Sequence, residues 1–139
     1  LVAPGEASSL GLHAWLAAHR GPEAEAVMCE NPRYIFFRLL PDDGSEPRGA
    51  SGARLVAGRS VAVDPRYSAY FQLLWIDAER PTLRGARSQY RRLVVALDTG
   101  SAIRGPVRAD LYLGRGQAAG AEAGRVRHTL RLWRIEPVG

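Results

Sequence analysis

Near the start of the chain, apolar positions recur at helical spacing. Leu12, Trp15 and Leu16 fall three to four residues apart behind Ser8 or Ser9, either of which can cap a helix. The segment closes on His19-Arg20-Gly21, basic residues followed by glycine, as helix ends prefer. A second short helix is expected from Pro22, with Glu23 and Glu25 in its first turn. It must end by Asn31, because Pro32 disfavours helical geometry in the residue before it. Both helices read as packing elements.

Beyond Pro32 the period drops to two. Residues 34–39 place Tyr34, Phe36 and Arg38 on one face and Ile35, Phe37 and Leu39 on the other. Residues 41–52 are polar and rich in Gly, Asp and Ser, a loop without a recognisable motif. Residues 54–63 alternate in part, with Gly58 at a bend or bulge. Further strands are expected at 71–76, at 93–97 and over 108–113. The 93–97 run is continuous and apolar, as in a strand buried on both faces. In the next, Arg108, Asp110 and Tyr112 oppose Ala109, Leu111 and Leu113. A polar, Arg-rich connection covers 77–90, a short helix is expected within 117–127, and a last strand at 129–135 carries Leu130, Leu132 and Trp133. Six strand candidates separated by Gly/Pro turns predict a mainly β fold, a small barrel with one or two short N-terminal helices. The expected organisation is one domain over 1–139, with a helical lead-in at 1–30 and the barrel at 31–139.

Composition narrows the function classes. The net charge is +5 and all 19 basic residues are Arg. They are scattered, which fits a GC-rich coding bias better than a nucleic-acid face; no nucleic-acid partner is expected. Cys29 is the sole cysteine, so no intrachain disulfide can form; in its helix-like context it reads as a small buried hydrophobe. His13, His19 and His128 show no ligand spacing with Cys29 or with one another, so neither a metal nor another cofactor is expected. No apolar run approaches the length of a membrane-spanning helix, and the first residues lack the basic and hydrophobic regions of a signal peptide. A chain beginning at Leu1 rather than Met reads as a fragment or processed product.

Candidate chemistry sits between residues 91 and 114. Asp98 ends the buried run, and Asp110 lies twelve positions later on the polar face of the alternating strand. The loop between them contains Gly100, Gly105 and Pro106 and can fold the second strand back near the first. Two carboxylates on a rigid β scaffold form an acid/base pair. By residue type alone, Asp98 serves equally as a turn residue bonding its own backbone, and Asp110 as a solvated strand position. Asp64, closing the 54–63 segment before Pro65, is open in the same way. Tyr34 either packs in the core or lines a groove, where aromatic faces stack on sugars.

Residues 98–116, DTGSAIRGPVRADLYLGRG, resemble the C-terminal signature of the membrane-bound lytic murein transglycosylase A family. That signature is Asp-Thr/Val-Gly-Gly/Ser-Ala-Ile-Lys/Arg-Gly, then Arg-x-Asp-Leu/Ile-Tyr/Phe and Gly-x-Gly. Residues 31–38, NPRYIFFR, are similar to the family's NPSYVFFR; residues 57–67, AGRSVAVDPRY, to its AGRSIAVDPRY; and residues 118–127 to its closing segment. The matches fall in the family's order across residues 10–137. The same unit resembles the domain named for three aspartates, with Asp64, Asp98 and Asp110 at the three places. Departures are Ser68-Ala69-Tyr70-Phe71, where the family continues Ile/Val-Pro-Leu-Gly, Ser101 in place of Gly, and Arg104 in place of Lys.

The resemblance implies a six-stranded double-psi β-barrel, which the family assembles from sequence on both sides of an inserted second domain; the upstream half is not in this chain. It implies cleavage of the β-1,4 bond between N-acetylmuramic acid and N-acetylglucosamine in peptidoglycan, with 1,6-anhydro ends. The partner would be a peptidoglycan glycan strand, and the place the periplasm, with any outer-membrane anchor outside this chain. Asp110 would be the general acid/base and Asp98 would support it. Thr99, Gly100 and Ser101 would line the sugar site, with Asp64 at the cleft. Two other classes stay open: a barrel that binds glycan without cleaving it, and an Arg-rich β-barrel that binds nucleic acid.

Overall fold

A computed structural model describes residues 9–32, 36, 39, 41–79 and 89–138. The chain divides into two compact units, Leu1–Pro41 and Asp42–Gly139. The first holds α1 (Ser9–Ala18) and α2 (Pro22–Cys29), close to the helices the apolar spacing predicts. Pro22 enters α2 at its first turn, where its missing N–H costs nothing. Trp15 and His19, one turn apart in sequence, stack with ring centroids 4.3 Å apart. Cys29 corrects its expectation: it is exposed, not buried. Ala24 is the one buried residue of α2, and the rest of the helix, Cys29 included, is exposed. The strand expected at 34–39 lies mostly outside the described residues, and Phe36 and Leu39 are exposed.

The second unit is built on a five-stranded mixed sheet in the order β4-β1-β3-β2-β5. Its strands are β1 (Ser60–Val63), β2 (Leu73–Ala78), β3 (Tyr90–Asp98), β4 (Ala109–Leu111) and β5 (Leu130–Arg134). β1 and β3 run parallel, and the other pairings are antiparallel. α3 (Gly116–Ala123) links β4 to β5. Five of the six expected strands are therefore present among the described residues, as a sheet whose edges are β4 and β5. Alternation decides its faces. Val61, Val63, Leu74, Ile76, Ala78, Tyr90, Val94 and Ala96 form the core with Leu113, and Ala109, Leu111, Val126, Leu130 and Leu132 pack against it.

Two segments depart from expectation for local reasons. The 54–63 strand is shortened to β1, because the chain turns at residues 56–60. Arg59 and Ser60 both donate backbone N–H to the Val56 carbonyl, and Gly58 takes φ 73° between them. Ser60 Oγ accepts the Val56 N–H at 2.8 Å, which closes the turn. The strand expected from Phe71 begins at Leu73: Phe71 sits at φ 66°, outside extended geometry, and its N–H reaches the Ala96 carbonyl. This is the segment where the sequence leaves the family pattern.

The polar loop at 41–52 is tied down at both ends. Arg48 and Arg54 bridge across a tight hairpin. Its Gly49–Gly52 turn is closed by the Gly52 N–H on the Gly49 carbonyl at 2.9 Å. At one end Arg115 donates to the Ser45 carbonyl and to Asp42, both at 2.9 Å, and Tyr112 donates its hydroxyl to Glu46. At the other, the Ser51 N–H meets the Leu97 carbonyl at 3.2 Å. We call residues 42–54 the strap.

Candidate active site

β1 carries one residue that organises the site. Ala62 pairs with Asp98 on parallel β3 and with Asp110 on antiparallel β4. Laterally paired residues project from the same face of a sheet. Val61 and Val63 point into the core, so that face is the one away from the core. The register slips by one residue between Val61 and Ala62, an irregularity that leaves Leu97 unpaired and brings Asp98 level with Ala62. Asp98 and Asp110 thus share a face with one strand between them. Two interstrand spacings separate their backbones by roughly 10 Å.

Their surroundings differ. Asp110 is about half exposed, and Arg108 forks onto it: Nε donates to Oδ1 at 2.6 Å and an η nitrogen to Oδ2 at 3.2 Å. The ion pair raises the Arg108 pKa further above its already high value. Asp98 is partly buried, and its Oδ1 accepts the Ala50 N–H of the strap at 2.9 Å. Thr99, directly behind it, donates its hydroxyl to the Val63 carbonyl at 2.8 Å. The Gly100 carbonyl accepts the Ile103 N–H, and the Ser101 carbonyl accepts Arg104 Nε, both at 3.0 Å. Ile103 buries its side chain beneath the turn, and Ser101 faces solvent.

Asp64 is placed differently from a groove residue. Its side chain is fully buried and four donors converge on it. Arg66 gives Nε at 3.0 Å, an η nitrogen at 2.7 Å and its backbone N–H at 3.2 Å, and Gly105 gives its N–H at 2.9 Å. The Arg66 guanidinium first, and the Gly105 amide next, hold the Asp64 carboxyl well below the usual carboxylate range. Asp64 therefore anchors the 99–107 loop from beneath. Tyr34 lies outside the described residues.

A cleft of about 1020 Å³ opens on the core face. Val61, Ile76, Ala78 and Tyr90 line it from the core, Arg108 and Asp110 border it from β4, the edge strand of the sheet, and Arg127 and His128 line it as well. Asp98 and the 99–101 turn are not among its lining residues. Asp98 and Asp110 thus flank Ala62 from two different strands, the buried Asp64 holds the loop between them through Gly105, and Asp110 alone of these lines the cleft. Three participants escaped sequence reasoning. Arg108 was visible as a strand position but not as a partner two residues from Asp110. The strap's Ala50 acts through a backbone amide, which carries no residue signature. Tyr112, pushed up to about 12 by burial and by its bond to Glu46, was legible only as a polar-face residue.

Among the described residues no group of three His, Cys, Asp or Glu side chains could hold a metal ion. No helix among them is long and apolar enough to cross a membrane.

A family model described as "3D domain" matches residues 59–136, which contain Asp64, Asp98 and Asp110. The chain is 33% identical over 125 residues to the membrane-bound lytic murein transglycosylase A of Vibrio cholerae, covering 87% of this chain and 33% of that protein. It is 35% identical over 121 residues to the protein of the same name from Escherichia coli K12, covering 86% and 32%. Among solved structures it resembles MltA from Neisseria gonorrhoeae, with TM-score 0.77 and 36% identity over 96% of this chain and 33% of that one. It also resembles the membrane-bound lytic murein transglycosylase of Agrobacterium tumefaciens, with TM-score 0.75 and 39% identity over 91% and 34%. Escherichia coli MltA with bound chitohexaose aligns with TM-score 0.75 and 30% identity over 92% and 38%. The chain spans about a third of the curated relatives it matches.

Proposed function

The chain belongs to the 3D domain family, and from that premise we propose that it carries the acid/base half of a peptidoglycan lytic transglycosylase. The observation that carries this reading is the flanking of Ala62 by Asp98 and Asp110 on the face away from the core. The likeness to lytic murein transglycosylases, one of them solved with chitohexaose, supports a β-1,4-linked amino-sugar polymer as substrate.

Cleavage of a glycosidic bond needs a proton on the leaving oxygen as the sugar becomes oxocarbenium-like. Asp110 supplies it. Arg108 occupies both Asp110 oxygens in the free protein, so the glycan must displace that fork as it binds. The 6-hydroxyl of the N-acetylmuramic unit then attacks its own C1, and the Asp110 carboxylate takes up the hydroxyl proton. One C–O bond breaks and one forms, no water is consumed, and the product ends in a 1,6-anhydro sugar. Attack from within the same residue gives the step a large effective concentration. Asp98 acts from across β1, fixing the 99–101 turn and its charge environment. Thr99 and Asp64 shape that turn, and Gly100 and Ser101 present it to the sugar. Tyr34, outside the described residues, is proposed on the resemblance alone as an aromatic that stacks on a sugar.

The finer architecture belongs to the same proposal. A sixth strand laid between β4 and β5 would close the sheet into a double-psi barrel, and the apolar floor of the cleft between those edges supports it. The implied setting is the periplasm, in line with relatives named as membrane-bound. The test is a peptidoglycan digest by the complete protein, read by mass spectrometry. Muropeptides lighter by one water are expected. Hydrolytic ends instead would replace this reaction with hydrolysis, and retention on insoluble peptidoglycan without any release would favour a binding domain.

A further inference from the structure

The strap ends on Asp98, and the geometry of that contact is built rather than incidental. Gly49 sits so close to β3 that a Cβ there would lie 2.2 Å from the Leu97 carbonyl oxygen, well inside any allowed contact. That approach places the next two amides on the end of β3. The Ser51 N–H takes the Leu97 carbonyl and the Ala50 N–H takes Asp98 Oδ1. Leu97 is the residue left unpaired where the β1–β3 register slips, so the strap binds at the irregularity that sets Asp98 level with Ala62. The far end of the strap is fastened beside β4 through Glu46 on Tyr112. One segment therefore spans the two strands that bear the candidate carboxylates.

We propose that the Gly49–Ser51 turn is a positioning element for the reaction: its Ala50 amide aims the Asp98 carboxylate, and the missing side chain of Gly49 lets it get there. This rests on the reading of Asp98 and Asp110 given above and adds a residue to it. Ala50 occupies the second position of a turn closed from Gly52 to Gly49, where proline is favoured. Ala50 is also exposed and its φ is not positive. Ala50→Pro therefore suits the turn, removes the N–H donated to Asp98 and puts a ring carbon in its place, so the carboxylate loses its donor and must turn away.

The experiment measures anhydro-muropeptide release by the complete protein. Ala50→Pro should slow release about tenfold through kcat, with KM and melting temperature nearly unchanged, the scale of one lost orienting hydrogen bond to a charged group. Ala50→Gly, which keeps the donor, should restore the rate. In an Asp98→Ala background Ala50→Pro should cost nothing further, because the two changes remove the same contact. A parent-rate Ala50→Pro, or an equal loss in both backgrounds, overturns the proposal. Should the proline variant not fold, the Ala50 amide decides. Its hydrogen exchange should be faster in Asp98→Ala than in the parent, because that bond is gone, and equal exchange in the two overturns the proposal equally. Asp110→Asn, run alongside, separates the two failures. If it works at the parent rate, the reading of the site falls; if it is inactive beside a parent-rate Ala50→Pro, only the strap's role falls.

Discussion

Asp98 and Asp110 never meet directly; each is paired to Ala62, one from a parallel strand and one from an antiparallel strand. Between them the 99–107 loop carries the chain past β1, so that β1 lies in the middle rather than at an edge. The two carboxylates are therefore set on either side of β1 rather than side by side on one strand. Backbones about 10 Å apart leave room for a sugar ring between the side chains.

In the proposed reaction the more accessible of the two, Asp110, transfers the proton. Asp110→Asn keeps the size of the side chain and removes its acidity. Its partner Arg108 is about half exposed, and ion pairs of that kind contribute about 0–1 kcal/mol. The variant should melt within a few degrees of the parent and release no anhydro-muropeptides, at least a hundredfold below the parent rate on the scale of lost acid catalysis. Release at the parent rate by a folded variant would remove Asp110 from the mechanism.

Gly49 makes a prediction about stability. Any side chain at this position meets the Leu97 carbonyl and the Leu55 side chain, the latter at 2.9 Å from a Cβ. Leu55 can adjust, but the carbonyl belongs to β3. Gly49→Val should cost roughly 2 kcal/mol or more by overpacking, measurable by urea denaturation of the complete protein. An unchanged denaturation midpoint would mean that the strap does not rest on β3.

Tyr90 starts β3 with a fully buried ring, and its hydroxyl donates to the Gly58 carbonyl at 2.9 Å. Tyr90→Phe preserves the packing and leaves that carbonyl short of a partner, at a cost of about 1–2 kcal/mol. Because Gly58 leads into β1, the loss should also appear as faster amide hydrogen exchange at residues 60–62. Exchange that is unchanged there would place the stabilisation elsewhere.

The elements that announce themselves in the sequence are those whose side chains decide their fate. The apolar run at 93–97 is the centre of β3, and the alternation around Asp110 resolves, as written, into a core-facing Ala109, Leu111 and Leu113 and an exposed Asp110. What escaped was decided by backbone. Whether β4 would pair with β3 or with β1 is a question of loop path, and the loop path is set by Asp64, whose buried carboxylate holds the Gly105 amide. The strap reads as polar filler because its contacts are amides, and because the informative feature of Gly49 is an atom it lacks. Cys29, which its residue type alone would bury, lies exposed on a helix whose one buried residue is Ala24.

Asp64 gives the protein a definite acid limit. Its carboxyl is held below its ordinary value of about 3.9 by Arg66 and the Gly105 amide. A carboxyl depressed in the folded state binds its proton more readily once the chain unfolds. Its contribution to stability is therefore fully present above about pH 4 and is lost as the pH falls below that toward the folded value. Asp64→Asn removes this linkage. At pH 7 the variant should melt several degrees below the parent, because the Arg66 fork and the loop anchor are weakened together. As the pH is lowered from about 4 toward 2 the two melting temperatures should converge, since the parent is then losing what the variant never had. Melting curves followed by circular dichroism across that range make the comparison. Asp42 and Asp43, also held low, titrate in both proteins and cancel in the difference. A gap that stays constant down to pH 2 would show that the Asp64 charge has no part in holding the loop.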